Sequence, residues 1–181
     1  MAAGHDTSAN VLSWCVYLMA TKPEVQNKLR DETRELGQDS EITFERLDTL
    51  PYMNNFVKET LRVYANATTI HCQANVDETI CGTFIPKGTT FGVVPHVSLM
   101  TPLIWGDDVD DFDPGRWDLL SEAAQSPYAF STFSNSPRIC LGRLFAMREI
   151  KIILVEMVRN YRFLEVDGPF TVENPSLTLR P

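Results

Sequence analysis

Six residues of this 181-residue chain have types and settings that could do chemistry: Cys140, Glu59, Arg62, Arg116, Asp6 and Thr7. Cys140 stands in "FSNSPRICLG", two residues after Arg138 and directly before a helix-like stretch. A thiol there faces the free N–H groups of a first helical turn, whose dipoles favour the thiolate, the state a metal needs. The competing reading is a small buried hydrophobe. In "KETLR", Glu59 and Arg62 stand at i and i+3, on one helical face and opposite the apolar one. Exposed, such a pair is commonplace and worth about 0.2–0.5 kcal/mol. In "AGHDTSA", Gly4 and Thr7 permit a local break in a helix, because glycine packs nothing and a threonine hydroxyl can bond back to a carbonyl. A solvated helix face is the plainer reading of Asp6 and Thr7. His5, His71 and His96 lie far apart and near no paired cysteines, so no zinc pattern emerges. The acidic run "WGDDVDDFDPGRW" lacks the residue order of a calcium loop and reads as solvated loop.

These residues need elements to position them. With 44% apolar residues the chain can bury a core. A net charge of −8 argues against a nucleic-acid backbone as partner. The cysteines Cys15, Cys72, Cys81 and Cys140 show no CxxC spacing and are too sparse for a disulfide scaffold. "AAGHDTSANVLSWCVYLMA" reads as helix interior, too interrupted by Asp6, Asn10 and Ser13 to be a signal peptide or a membrane span. A second helix begins at a capping box of Thr21 and Glu24 around Pro23, buries Val25, Leu29, Thr33 and Leu36, and stops at Gly37. A third follows Pro51, with Met53, Phe56, Val57, Leu61 and Tyr64 on one side. "DETICGTFIPKGTTFGVV" reads as a small hairpin sheet. From Met100 to Ser136 the chain is mostly loop. The last helix, from about Gly142 to Tyr161, is apolar nearly all round in "IKIILVEMV" and is expected to be buried. No internal repeat or low-complexity linker is present.

Taken together, the motifs resemble those of the cytochrome P450 family. "FSNSPRICLG" is similar to its cysteine-ligand loop F-x-x-G-x-R-x-C-x-G, matched by Phe133, Arg138, Cys140 and Gly142, with Ser136 where the family has glycine. "KETLR" and "FDPGRW" resemble the elements whose glutamate and two arginines form a structural network, here Glu59, Arg62 and Arg116. "AGHDTSA" resembles the distal-helix motif A-G-x-[DE]-T. The four motifs fall in family order from residue 3 to residue 142.

The resemblance implies a mainly α fold with a small β-sheet, the C-terminal haem-binding half of the P450 fold. Residues 1–181 would supply the distal helix, the Glu-x-x-Arg helix, the small sheet, the meander, the cysteine-ligand loop and the following helix. Cys140 would be the axial thiolate ligand of haem b iron, with Arg138, Phe133 and Gly142 completing the cofactor loop. Thr7 and Asp6 would serve dioxygen and its protons. The implied activity is a haem-thiolate monooxygenase, inserting one oxygen atom of dioxygen into an apolar small molecule with electrons from an NADPH-dependent flavoprotein reductase. Its full-length form would lie on the cytosolic face of the endoplasmic reticulum membrane. The alternative is a truncated product that binds haem, or nothing, without turnover.

The resemblance also implies truncation at both ends, with the membrane anchor and the substrate lid in the absent N-terminal part and "NPSLTLRP" as a strand leading to an absent hairpin. An isolated chain of this kind is expected to be inactive and to expose apolar faces around Leu12, Val16, Ile152 and Leu154. In "YANATTIHCQ", Ala65 and Asn66 replace the usual prolines, and His71 is the candidate second partner for the haem carboxylates. Arg138, Arg143, Arg148 and Lys151 form a basic cluster that could dock an acidic electron-transfer partner or simply serve solubility.

Overall fold

A computed structural model describes residues 2–37, 41–67 and 69–165, and of Ala2 and Ser136 the backbone alone. The strand expected in "NPSLTLRP" lies outside the described residues. Four helices enclose the main core: α1 (Ala2–Thr21), α2 (Pro23–Arg34), α4 (Pro51–Val63) and α7 (Arg143–Asn160), with the short α3 (Phe44–Asp48) against α7. Their buried positions recur at helical spacing: Val11, Cys15, Leu18 and Met19 on α1, Val25 and Leu29 on α2, Met53, Phe56, Val57 and Leu61 on α4, and Ile150, Leu154, Val155 and Val158 on α7. Tyr64, expected on the apolar side of α4, is half-buried and stacks on Trp14 of α1, with ring centroids 3.9 Å apart and planes at 12°.

The junction of α1 and α2 is built differently from the expected capping box. Thr21 remains the last residue of α1 and donates its hydroxyl to the Tyr17 carbonyl at 2.9 Å. Lys22 takes the cap position without a side-chain bond. Pro23 explains why none is needed, since its fixed φ starts the helix and it has no N–H to satisfy. Gly37 ends the helical segment as expected, at φ 79°.

Two partners outside α4 and α7 close their ends. Pro51 opens α4, and the next two backbone N–H groups, of Tyr52 and Met53, donate to the Glu32 carboxylate of α2 at 2.7 and 2.8 Å. Half-burial pushes the Glu32 carboxyl above its ordinary value, outweighing these two bonds. At the far end of α7, Arg30 donates to the carbonyls of Val158 and Tyr161 at 3.1 and 2.7 Å, which would otherwise be orphaned.

The expected single hairpin sheet is two separate two-stranded antiparallel ladders. Strands β2 (Glu78–Ile80) and β3 (Thr83–Ile85) form the hairpin, turning through Cys81 and Gly82 at φ 50° and 81°. Strand β4 (Thr90–Val93) instead pairs with β1 (Ile70–Gln73), His71 lying opposite Gly92. Gly88, at φ 87°, makes this possible: its N–H donates to the Ala74 carbonyl at 2.8 Å and brings the chain back beside β1.

From Met100 to Ser136 the chain is largely irregular, as expected, with the short α6 (Pro102–Trp105) and 3₁₀ turns at Pro114–Asp118 and Ser136–Arg138; α5 (Pro95–Leu99) precedes it. This stretch packs on its own small cluster of Trp105, Val109, Ala124 and Ala129. Two expectations about α7 are corrected. Its first turn is not buried, for Leu144 and Phe145 are exposed. Lys151 is not part of a surface basic cluster. It is buried, and its Nζ donates to Asp48 Oδ1 at 3.1 Å and Asn54 Oδ1 at 2.9 Å, which satisfies the charge. Of the apolar faces expected to be bare, Leu154 lies in the core, while Leu12, Val16 and Ile152 pack against it and stay partly exposed.

Glu32→Ala removes the outside cap of α4. It is expected to lower the unfolding free energy by about 1–2 kcal/mol in urea titration, with an unchanged m-value. An unmoved midpoint would show that the helix start needs no partner from α2.

Candidate functional site

Helix α4 carries the best-determined polar centre of the chain. Arg62 grips the Glu59 carboxylate bidentately, with Nε to Oε2 at 2.9 Å and Nη2 to Oε1 at 2.8 Å. Both side chains have 0% exposure, so this is no ordinary surface i, i+3 pair. Arg62 also reaches the carbonyls of Leu99 and Asp111, each at 3.1 Å. Arg116 joins from the 3₁₀ turn, its Nε 3.4 Å from Glu59 Oε1. Its two terminal nitrogens hold the Trp105 carbonyl, the Asp108 carboxylate and the Asp108 carbonyl at 2.8–2.9 Å. The expected trio is therefore assembled in space.

Two further donors complete the shell of Glu59: Trp117 Nε1 at 2.9 Å and the Asp113 backbone N–H at 3.2 Å. Sequence reasoning gave Trp117 no role, though it adjoins Arg116 in "FDPGRW"; an indole N–H that is buried needs an acceptor, and that was the available signal. Asp108 contributes from the solvent side, and the Arg116 hydrogen bond holds its carboxyl below the ordinary range.

The cysteine loop hangs from the same helix. Thr132 donates its hydroxyl to the Leu61 carbonyl at 3.1 Å. The loop is then closed on itself by the Cys140 N–H, which donates to the Phe133 carbonyl at 2.9 Å, and turns through Ser134 at φ 60°. Gly142 precedes α7, and a Cβ added there would lie 3.9 Å from Cys140 Sγ, in ordinary contact. Phe133 packs against the main core with the Arg143 guanidinium 5.9 Å from its ring centroid. Cys140, Arg138 and Leu141 are exposed. The side chain of Ser136 lies outside the described residues.

The four cysteines are unpaired and differ sharply in setting. Cys15 is entombed between helices, and burial pushes its thiol up to about 12. Cys81 sits exposed at the hairpin turn, and Cys72 is half-buried. Cys140 alone lies in a closed loop ahead of a long helix.

At the other end of the chain, α1 runs without the expected break from Ala2 to Thr21. The back-bond that was expected to open it is present: Thr7 Oγ1 donates to the Ala3 carbonyl at 2.7 Å. A hydroxyl bonded to the i−4 carbonyl can be accommodated within an intact helix. Asp6 is exposed and its Oδ1 lies 3.1 Å from His5 Nδ1. Open space lies before Gly4, where an added Cβ would meet nothing within 4 Å. His71 is exposed on β1.

Across its full length, residues 1–181, the chain matches the family described as Cytochrome P450. The chain belongs to the cytochrome P450 family. It is 38% identical over 190 residues to CYP13A7 of Caenorhabditis elegans, a protein named as a cytochrome P450, which covers 99% of this chain and 37% of that protein. It is 39% identical over 168 residues to cytochrome P450 4F12 of Homo sapiens, covering 91% of this chain and 32% of the relative. It is 34% identical over 179 residues to the cytochrome P450 monooxygenase sphH of Aspergillus fumigatus, covering 93% and 33%. The chain thus spans about a third of the length of these P450 relatives. Its mainly helical architecture with small antiparallel ladders agrees with the P450 fold. No described helix is long and apolar enough to cross a membrane.

P450 membership implies haem, and the residues present fit that group. An accessible, unpaired thiol on a closed loop can ligate iron, the exposed Arg138 two residues before it can meet a carboxylate, and the exposed Leu141 offers an apolar contact to a flat ring.

Glu59→Ala leaves the Arg62 cation buried without its partner and is expected to cost about 3–5 kcal/mol. Asp31→Ala breaks the exposed pair with Arg34 and is expected to cost under about 1 kcal/mol. Equal losses in chemical denaturation would contradict a buried network. For Asp108, a lowered folded-state pKa gives stability that is present above the unfolded value and fades as pH falls through the folded one. The gap between wild type and Asp108→Asn is therefore expected to be widest near neutrality, to begin narrowing as pH drops below about 3.9, the unfolded value, and to close only below the lower folded one. A gap that widened in acid would reverse the assignment.

Proposed function

We propose that this chain supplies the haem-binding portion of a haem-thiolate monooxygenase that inserts one oxygen atom of dioxygen into an apolar small molecule. The observation that carries the reading is Cys140: an accessible thiol on a loop closed by its own backbone and tied, through Thr132 and Leu61, to the helix of the buried Glu59–Arg62 pair. The name of the Aspergillus relative supports the reaction class.

Bound haem b supplies the activation of dioxygen by stepwise reduction. Cys140 would hold its iron as thiolate, and the loop bond from the Cys140 N–H to Phe133 keeps the sulfur's backbone from shifting. Arg138 would face a haem carboxylate. Gly142 stands beside the sulfur, and a Cβ added there would make ordinary contact with it at 3.9 Å. The Thr7 hydroxyl and the Asp6 carboxylate would hold and pass protons, Asp6 from an exposed position open to water. Glu59, Arg62 and Arg116 act as a structural network and touch no reacting atom.

The electrons would come from an NADPH-dependent flavoprotein reductase, and the setting would be the cytosolic face of the endoplasmic reticulum membrane. The alternative reading is haem binding without turnover. Product formation with reductase and NADPH separates the two.

The proposal is tested by loading the protein with haem, reducing it under carbon monoxide and recording the Soret band. The wild type is expected to give a band far to the red of that from a histidine-ligated haem, and Cys140→His to lose that shift. A wild-type spectrum like that of the histidine variant would sink the reading.

A further inference from the structure

The start of α1 and the chain just after α4 meet through amides that the motif reading did not use. Asn66 Nδ2 donates to the Thr7 carbonyl at 3.0 Å, and Asn66 Oδ1 accepts from Asn10 Nδ2 at 2.7 Å. Asn66 is half-buried and Asn10 is 5% exposed, so both bonds are shielded from water. Asn66 follows α4 by three residues, and its neighbours are fixed on both counts that matter: Ala65 is buried and Tyr64 stacks on Trp14 of α1. The amide therefore works from a rigid base.

The target of this amide is the residue whose hydroxyl the proposed chemistry uses. Thr7 directs its hydroxyl to the Ala3 carbonyl, which ties the side chain to its own helix but leaves that turn free to move as a body. Asn66 grips the same residue by its backbone carbonyl, and through Asn10 it grips α1 three residues further along. Two attachments from one planar amide fix both the height and the rotation of the turn, which one could not. Proline, glycine or alanine at this position could make neither.

We infer that Asn66 is a positioning residue for the Asp6–Thr7 turn, acting on α1 through the Thr7 carbonyl and the Asn10 amide. This rests on the reading of Thr7 as the hydroxyl beside the reacting oxygen.

Two readouts test it. Hydrogen exchange on the protein without haem reports the clamp itself: Asn66→Ala is expected to raise exchange of the amides in residues 7–11 roughly tenfold, the scale of one lost hydrogen bond, while α4 and α7 stay protected. In the haem-loaded protein with reductase, NADPH and a turned-over substrate, the same variant is expected to divert electrons. Dioxygen then takes up two electrons and two protons and leaves as hydrogen peroxide instead of giving one oxygen atom to product and one to water, and product per NADPH falls several-fold while the carbon monoxide band keeps its position.

Should Asn66→Ala fail to fold, Asn66→Asp retains the acceptor for Asn10 and removes the donor to Thr7, and it is expected to show the same local exchange. Unchanged exchange at residues 7–11, or equal loosening throughout α4 and α7, overturns the inference. An intact clamp in exchange beside a wild-type carbon monoxide band of the histidine type would instead condemn the haem-thiolate reading and leave the clamp standing.

Discussion

One carboxylate organises this structure. Glu59, with no exposed surface, accepts from Nε and Nη2 of Arg62, from Arg116, from the Trp117 indole and from the Asp113 backbone. A buried charge is tolerated only when its attraction and hydrogen bonds offset its lost hydration, and five donors do so here. The donors come from α4 itself and from the irregular stretch between residues 111 and 117, which has little regular structure to hold it otherwise. Arg62 and Arg116 then spend their remaining N–H groups on the carbonyls of Leu99, Trp105, Asp108 and Asp111. A loop region whose carbonyls would have pointed into an apolar interior is satisfied by two cations, and those cations are satisfied by Glu59.

The thiol depends on this centre at one remove. Cys140 is exposed, so burial of its own side chain does not fix it. It is fixed from behind. The Phe133 carbonyl holds its N–H, Phe133 is seated against the core, and Thr132 joins the segment to α4 two residues after Glu59. Accessibility of the sulfur and rigidity of its backbone are thus supplied by different atoms.

Residue type and short spacing carried most of the site. A glutamate and arginine at i and i+3, an arginine before a tryptophan, and a cysteine before a long helix are local patterns; the three charges come together, and Cys140 lies on a closed loop ahead of α7. What was not legible depended on partners distant in sequence. Lys151 looks like one of several surface cations until Asp48 and Asn54, about a hundred residues away, are seen around its ammonium. Strand β4 reads as a continuation of its nearest hairpin because nothing local announces β1 as its partner. Asn66 stands out in the sequence only as the replacement of a usual proline, and its bonds to Thr7 and Asn10 cross fifty-nine and fifty-six positions. The misplaced capping box was a local error of another kind: Thr21 had two possible acceptors of its influence, and the helix behind it won over the helix ahead because Pro23 already starts the latter.

Helix α7 is held unevenly along its length, and that has a mechanical meaning. Arg30 fastens its last carbonyls and Lys151 pins its middle, whereas its first turn carries the exposed Leu144 and Phe145. It is a cantilever with its root at the C-terminal end. From Lys151 to Arg143 the axial rise is about 12 Å, and along it Met147 rests on the core and the Arg148 guanidinium on the Phe44 ring. The tip adjoins Cys140. The loop that bears Cys140 is moored separately, through Phe133 and Thr132, so the sulfur's backbone has an anchorage of its own apart from the root of the beam.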